Sequence, residues 1–251
     1  MTETASRPGA EIGPVRVRDA TRPSPRQLVR FAFYRLDPGW RRLDPAEREA
    51  QRNEFASRLA EHHRQLLLRS YTLVGTRGDC DLMLWAVSEE VERLQALFVD
   101  LNRTRLAGYL ECAHSYTAMT KRSSYVDAEH PQQGGTTDRL VLAPGSRRYL
   151  FVYPFVKTRA WWALPEEERQ RMMQEHIRVG HRYPSVKINT TYSFGLDDQE
   201  FVVAFETDSA GDFLDCVQAL RDTEASSYTL RDVPSFTCVR ASFEEAVAAL
   251  G

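Results

Sequence analysis

The feature that most constrains this chain is that it repeats itself. GDCDLMLWAVSEEVERLQAL (78–97) and GLDDQEFVVAFETDSAGDFLDCVQAL (195–220) each give an acidic turn, an apolar strand, a polar break and a helix ending in Gln-Ala-Leu. Upstream of each, RFAFYRLDPGWRRLDPAERE (30–49) and YLFVYPFVKTRAWWALPEEERQ (149–170) lead from an aromatic-rich strand to a helix opened by a proline, Pro45 or Pro165. Proline suits the first helical turn because its missing N–H has no intrahelical acceptor there. The acids that follow suit the positive end of the helix dipole.

Apolar periodicity sets the elements. In the first half it predicts strand 27–36, helix 45–65, strand 69–76, strand 80–88, helix 89–105 and strand 109–121. In the second it predicts strand 147–157, helix 165–181, strand 185–194, strand 199–207, helix 209–221, a loop, strand 235–242 and a short helix. Each half is therefore a βαββαβ ferredoxin-like unit, giving an α+β fold with antiparallel sheets and helices on one face. The expected organisation is a disordered tail (1–25), an N-terminal unit (26–128), the linker EHPQQGGTTD (129–138) and a C-terminal, ligand-binding unit (139–251).

Composition excludes several classes. The chain has 251 residues, 42% hydrophobic and 27% charged, with a net charge of −2. No basic patch interleaved with aromatics suggests a nucleic-acid partner. No apolar run is long enough to span a bilayer, and residues 1–25 lack the apolar centre of a signal peptide. The four cysteines, Cys80, Cys112, Cys216 and Cys238, are scattered and read as reduced thiols of a cytoplasmic protein.

The halves differ in one helix. The first carries Glu61-His62-His63; the second carries MMQEHIRVG (172–180), in which Met172, His176 and Gly180 share a face at i, i+4, i+8. Gly180 stands where the first helix has Leu66 or Leu67, and a small residue facing a sheet makes room. A lone histidine on an apolar face is most often a satisfied core residue. A zinc site needs three or four ligands, and no Cys or carboxylate lies at ligand spacing. A haem iron needs one proximal ligand and an apolar slot, which His176, Met172, Ile177 and Gly180 suit. Glu224, in the loop after helix 209–221, is the expected acceptor for the second ring N–H.

The run YPFVKTRAWW…LPEEERQRMMQEHIRVGHRYPSVKINTTYSFGLDDQEFVVAFETD (153–208) resembles the chlorite dismutase family of haem proteins, and within it the coproheme decarboxylase branch. The likeness extends over nearly all of 27–242. It implies a duplicated ferredoxin-like fold, porphyrin bound by the second half, a homopentamer, and His176 as axial iron ligand. By the same resemblance, Tyr153 matches a radical-forming tyrosine and Lys157 a cation beside a propionate. Trp161 matches a tryptophan near the proximal histidine. Arg139 falls where the family places a propionate-binding arginine, and either Ser226 or Ser227 where it places a serine; Ser124 and Tyr125 reach for the same carboxylates. Chlorite-splitting members carry a distal arginine on the strand after the proximal helix. Counting from His176 puts Asn189 there, counting back from Gly195 puts Ile188, and neither is arginine. The distal histidine of actinobacterial decarboxylases has no counterpart.

The expected function is peroxide-dependent decarboxylation of iron coproporphyrin III (coproheme) to haem b, a step of haem biosynthesis. The substrate acts as its own redox cofactor, and hydrogen peroxide is the co-substrate. The alternatives are a non-catalytic haem or porphyrin carrier or sensor, and a chlorite dismutase or peroxidase acting through bound haem.

Overall fold

A computed structural model describes residues 26–123, 125 and 140–251. The first half runs β1 (Leu28–Leu36), α1 (Pro45–His63), β2 (Leu67–Thr72), β3 (Leu82–Ser88), α2 (Val91–Leu101) and β4 (Leu110–Met119). The second runs β5 (Tyr149–Lys157), a short α3 (Arg159–Ala163), α4 (Glu166–Gly180), β6 (Lys187–Tyr192), β7 (Phe201–Thr207), α5 (Ala210–Arg221), β8 (Thr229–Arg231), β9 (Phe236–Ala241) and α6 (Phe243–Ala248). The tail 1–25 and the linker 129–138 lie outside the described residues.

Each half orders its strands alike, β4-β1-β3-β2 and β6-β7-β5-β9. Two seams join them: β2 pairs with β9 through Tyr71↔Arg240, and β4 meets β6 at Met119↔Tyr192. Since β7 also pairs with β5, the sheet closes on itself, with β8 attached outside on β5. Closure leaves few unpaired edges.

Strand alternation then sorts side chains to two faces. Val29, Phe31, Phe33, Met83 and Trp85 meet Leu150, Val152, Val202, Ala204 and Phe236 inside the barrel, so both halves share one interior core. Outside, α1, α2 and α6 cover the first half through Phe55, Leu59, Leu94, Leu97 and Val247. In the second half α5 packs Cys216 and Leu220 on Phe151 and Phe205, with Val179 of α4 partly buried against them.

Local chemistry explains most boundaries. Asp44 caps α1, its carboxylate accepting from the Ala46 N–H at 2.9 Å, with Pro45 first in the helix. The strand expected over 69–76 spans Leu67–Thr72 instead. Gly75, with φ of +83°, turns the chain in the left-handed region, and the Thr76 N–H closes on the Leu73 carbonyl at 2.9 Å. The loop expected before the last strand contains a 3-10 turn (Glu224–Tyr228) and β8. Neither carries an apolar period long enough to see in sequence.

Candidate functional site

Helix α4 is anchored at one point. Its one fully buried side chain is Met172, packed against Trp161 and Ala225. From there α4 leans mainly on α5 and the 224–228 turn. Met173, His176, Ile177, Val179 and Gly180 are half-buried. A Cβ built on Gly180 would meet only Leu220 Cδ2 at 3.8 Å and Ile188 Cδ1 at 3.9 Å, ordinary van der Waals contacts. The glycine leaves space along the helix and is not forced by a close approach.

The His176 ring has its tautomer set by its neighbour. Nδ1 lies 2.8 Å from Thr223 Oγ1, and that hydroxyl donates its only proton to the Leu220 carbonyl at 2.7 Å. The hydroxyl can therefore only accept from the ring, so Nδ1 carries the hydrogen and Nε2 keeps its lone pair. Burial, reinforced by the nearby Lys157 ammonium, presses the imidazole down to about 4, so it is neutral at physiological pH. No described residue bonds Nε2. Glu224, the expected partner, instead pairs with Arg171 at 2.9 Å on the surface. It flanks Thr223 in the sequence, but the 3-10 turn directs it outward; Thr223 was not anticipated.

Opposite α4 the sheet presents aromatic rings. Phe151 stacks on Phe213 at 3.8 Å, and Tyr153 stacks on Phe205 at 5.7 Å. Burial holds the Tyr153 phenol well above its ordinary range, with Asp232 adding to the effect. An Arg221–Asp232 ion pair at 2.8 Å lies nearby.

Strand register decides between the two distal candidates. Ile188 pairs with Phe205, on the helix side, and Asn189 pairs with Ala204, inside the barrel. Ile188 is 44% exposed and borders Gly180. Asn189 points away and donates from Nδ2 to Glu206 Oε1 at 2.8 Å, so it faces the barrel interior and not α4. Lys187 shares the face of Asn189 and meets Glu206 at 3.9 Å.

Lys157 lies on the same face of β5 as Tyr153, but deeper than a sheet-surface cation. Its ammonium donates to the Ala225 carbonyl at 2.5 Å and sits 4.5 Å from the Trp161 ring centroid. Burial brings it down to about 8, against the raising effect of Glu200, so it is mostly protonated at neutral pH. The contact ties the 224–228 turn to β5. Trp161 is fully buried, and Tyr125 and Tyr228 pack their rings at 6.5 and 5.5 Å from it. Ser226 is half-buried on the turn; Ser227 is exposed and donates to the Glu224 carbonyl at 2.8 Å. Arg139 and Ser124 lie outside the described residues. Among the described residues no cluster of three metal-ligating side chains occurs, and no helix is long and apolar enough to cross a membrane.

Comparison with known proteins finds a match of residues 48–241 to the chlorite dismutase family. A coproheme decarboxylase of Mycolicibacterium smegmatis is 34% identical over 181 residues, covering 72% of this chain and 75% of that protein. A chlorite dismutase of Ideonella dechloratans is 26% identical over 210 residues, 83% and 74% of the two chains. Among solved structures, the chlorite dismutase of Candidatus Nitrospira defluvii in complex with imidazole superposes with a TM-score of 0.80 at 28% identity, covering 88% of this chain and 94% of that one. A haem-binding protein of Thermus thermophilus shares the fold, with a TM-score of 0.81 at 24% identity over 90% and 95% of the chains.

Proposed function

Because this chain belongs to the chlorite dismutase family, we propose that it is a haem-dependent oxidoreductase that converts iron coproporphyrin III to haem b with hydrogen peroxide. The observation that carries the reading is the His176 ring. Its hydrogen is fixed on Nδ1 by Thr223, its charge is suppressed, and its Nε2 is left unbonded on a helix set off from an aromatic floor. Those residues fit an iron porphyrin: a neutral imidazole lone pair for the metal, and the half-buried Tyr153 and exposed Ile188 for the macrocycle, backed by the buried rings Phe151 and Phe205.

Bound iron porphyrin supplies peroxide-driven two-electron oxidation, once for each of two propionates. One propionate, one peroxide and one proton give a vinyl group, carbon dioxide and two waters. In this reading Tyr153, kept protonated by burial, first gives up its electron and proton together, and the phenoxyl so formed takes a hydrogen atom from the propionate carbon. Lys157 has two N–H donors beyond the one spent on Ala225, and its charge favours carboxylates at that end of the sheet. Arg139, Ser226 or Ser227, Ser124 and Tyr125 hold the remaining propionates. The reading includes a homopentamer, checked by light scattering.

The apolar Ile188 at the strand position nearest α4 supports decarboxylation over chlorite splitting, since it gives no cation to hold a departing hypochlorite. The same residue supplies no base for peroxide, which favours a second reading: a haem carrier or sensor on this scaffold. Titrating the protein with iron coproporphyrin and then peroxide tests the first. Two stepwise losses of carbon dioxide by mass spectrometry are expected, and loss of both steps in Tyr153→Phe with binding retained. Peroxide that leaves the porphyrin mass unchanged sinks the enzyme and leaves the carrier.

A further inference from the structure

Away from the α4 cleft, three guanidiniums gather at one end of the barrel. Arg69 precedes Tyr71 by two residues on β2, Arg240 pairs with Tyr71 across the β2–β9 seam, and the Arg240 N–H donates to the Arg148 carbonyl at 2.9 Å. Tyr71, Cys238 and Leu150, two residues along each strand, face the barrel interior, so alternation puts all three arginines on that face. They line an open cleft of about 510 Å³, with His63 and the α6 glutamates Glu244 and Glu245 on its rim.

Among the described residues no carboxylate closes an ion pair with this cluster, although Glu206 acts on Arg69 from a distance and Glu244 and Glu245 stand on the rim. Asp208, which accepts from the Arg148 backbone N–H, pairs its carboxylate with Arg147 at 2.7 Å. Glu206, the acid on the barrel face, is held by Asn189 at 2.8 Å and Lys187 at 3.9 Å. Glu245 closes the α6 capping box by accepting from the Ser242 N–H at 2.8 Å. Arg69 Nε is buried without any partner, and burial and Arg240 both press its guanidinium below the ordinary range. Like charges brought together from three adjacent strands need an anion to offset them.

We propose that this cleft binds a small phosphate-bearing polyanion. Guanidinium forks match phosphate oxygens two at a time, and three of them suit a ligand with two linked phosphate groups. The site is separate from the porphyrin cleft. Arg148 immediately precedes β5 whereas Lys157 ends it, and Arg148 and Tyr153 lie on opposite faces. The proposal does not depend on the enzymatic reading.

Calorimetry of the full chain with pyrophosphate, at about 0.15 M chloride, tests it with and without bound porphyrin. One saturable site per chain is expected in both forms. Arg148→Gln and Arg240→Gln should each weaken binding about tenfold, Arg240→Lys should lose less than Arg240→Gln because it keeps the charge but not the fork, and Arg105→Gln, an exposed arginine paired with Glu54, should change nothing. The Lys variant also serves if a Gln variant melts early. Citrate binding more tightly than pyrophosphate overturns the phosphate assignment. Absence of pyrophosphate heat, binding undiminished from the parent in both Gln variants, or a change of oligomer mass in those variants without pyrophosphate binding in the parent overturns the site.

Discussion

The two halves share a strand order but are sealed differently. Helix α1 buries Gln51, Phe55, Ala56 and Leu59, and α6, supplied by the second half, packs Ala246 and Val247 into the same cluster, joined by Leu250 just beyond the helix. Its partner α4 buries Met172 alone, and among the described residues no third long helix covers its face. One unit has become a closed core and the other an open one. The α6 helix that would have closed the second half was given to the first. Duplication thus yields a covered face and an uncovered one from one pattern, and His176 stands on the helix left uncovered.

The largest expected effect tests whether that openness serves a ligand. His176→Ala should lower porphyrin affinity about a thousandfold, on the order of 4 kcal/mol, and added imidazole should restore the ligated spectrum. His63→Ala on α1 should leave porphyrin titrations unchanged. Equal losses in both would break the comparison.

Packing gives the next effect. Leu59 is fully buried, so Leu59→Ala should destabilise the porphyrin-free protein by about 3 kcal/mol. Ile177→Ala, at a half-buried site on α4, should cost about 1 kcal/mol or less. Urea midpoints read both, and an Ile177→Ala cost matching that of Leu59→Ala would mean α4 packs as α1 does.

Charge sharpens the same contrast at lower magnitude. In porphyrin-free protein the folded His176 titrates at about 4, against 6.5 when unfolded, with burial the main cause and Lys157 second. Between those values the unfolded chain holds the proton and the folded one does not, so stability falls as pH drops. The loss from pH 7 to 4.5 is about 2 kcal/mol, beyond what carboxylates contribute, and His176→Gln should remove that increment.

What could be read from the sequence follows from how each feature is encoded. The repeat, the strand faces and His176 are local patterns of period two or 3.6, and Tyr153 and Lys157 share a face because they are four apart on one strand. Barrel closure is not local. The β2–β9 and β4–β6 seams are backbone pairings between distant segments, and no side-chain signal marks Met119 as the partner of Tyr192. Counting along the chain left Ile188 and Asn189 open because the two anchors, His176 and Gly195, disagree by one residue. Only pairing with Phe205 or Ala204 assigns the face. Glu224 alone is the acceptor expected from the sequence; the turn directs it outward to Arg171 and brings its neighbour Thr223 against the ring, which residue type does not reveal.

The Thr223 contact gives the smallest and most specific prediction. Thr223 Oγ1 accepts from Nδ1 only because its own hydrogen is committed to the Leu220 carbonyl. Thr223→Val keeps the shape and removes the acceptor. The ring can then carry its hydrogen on either nitrogen, and the Nδ1–H loses its partner. Porphyrin affinity should fall about tenfold, and the porphyrin-free fold should lose about 1–2 kcal/mol for the buried groups left unpaired. Thr223→Ser, which keeps the hydroxyl, should restore most of the loss. A neutral hydroxyl also withdraws less proton character from the imidazole than a carboxylate would, so Thr223→Glu should strengthen electron donation and lower the reduction potential of the bound iron. A potential unchanged in both Thr223→Val and Thr223→Glu would mean that the neighbour merely packs against the ring, and that openness of the helix, without the tautomer, is what separates the two halves.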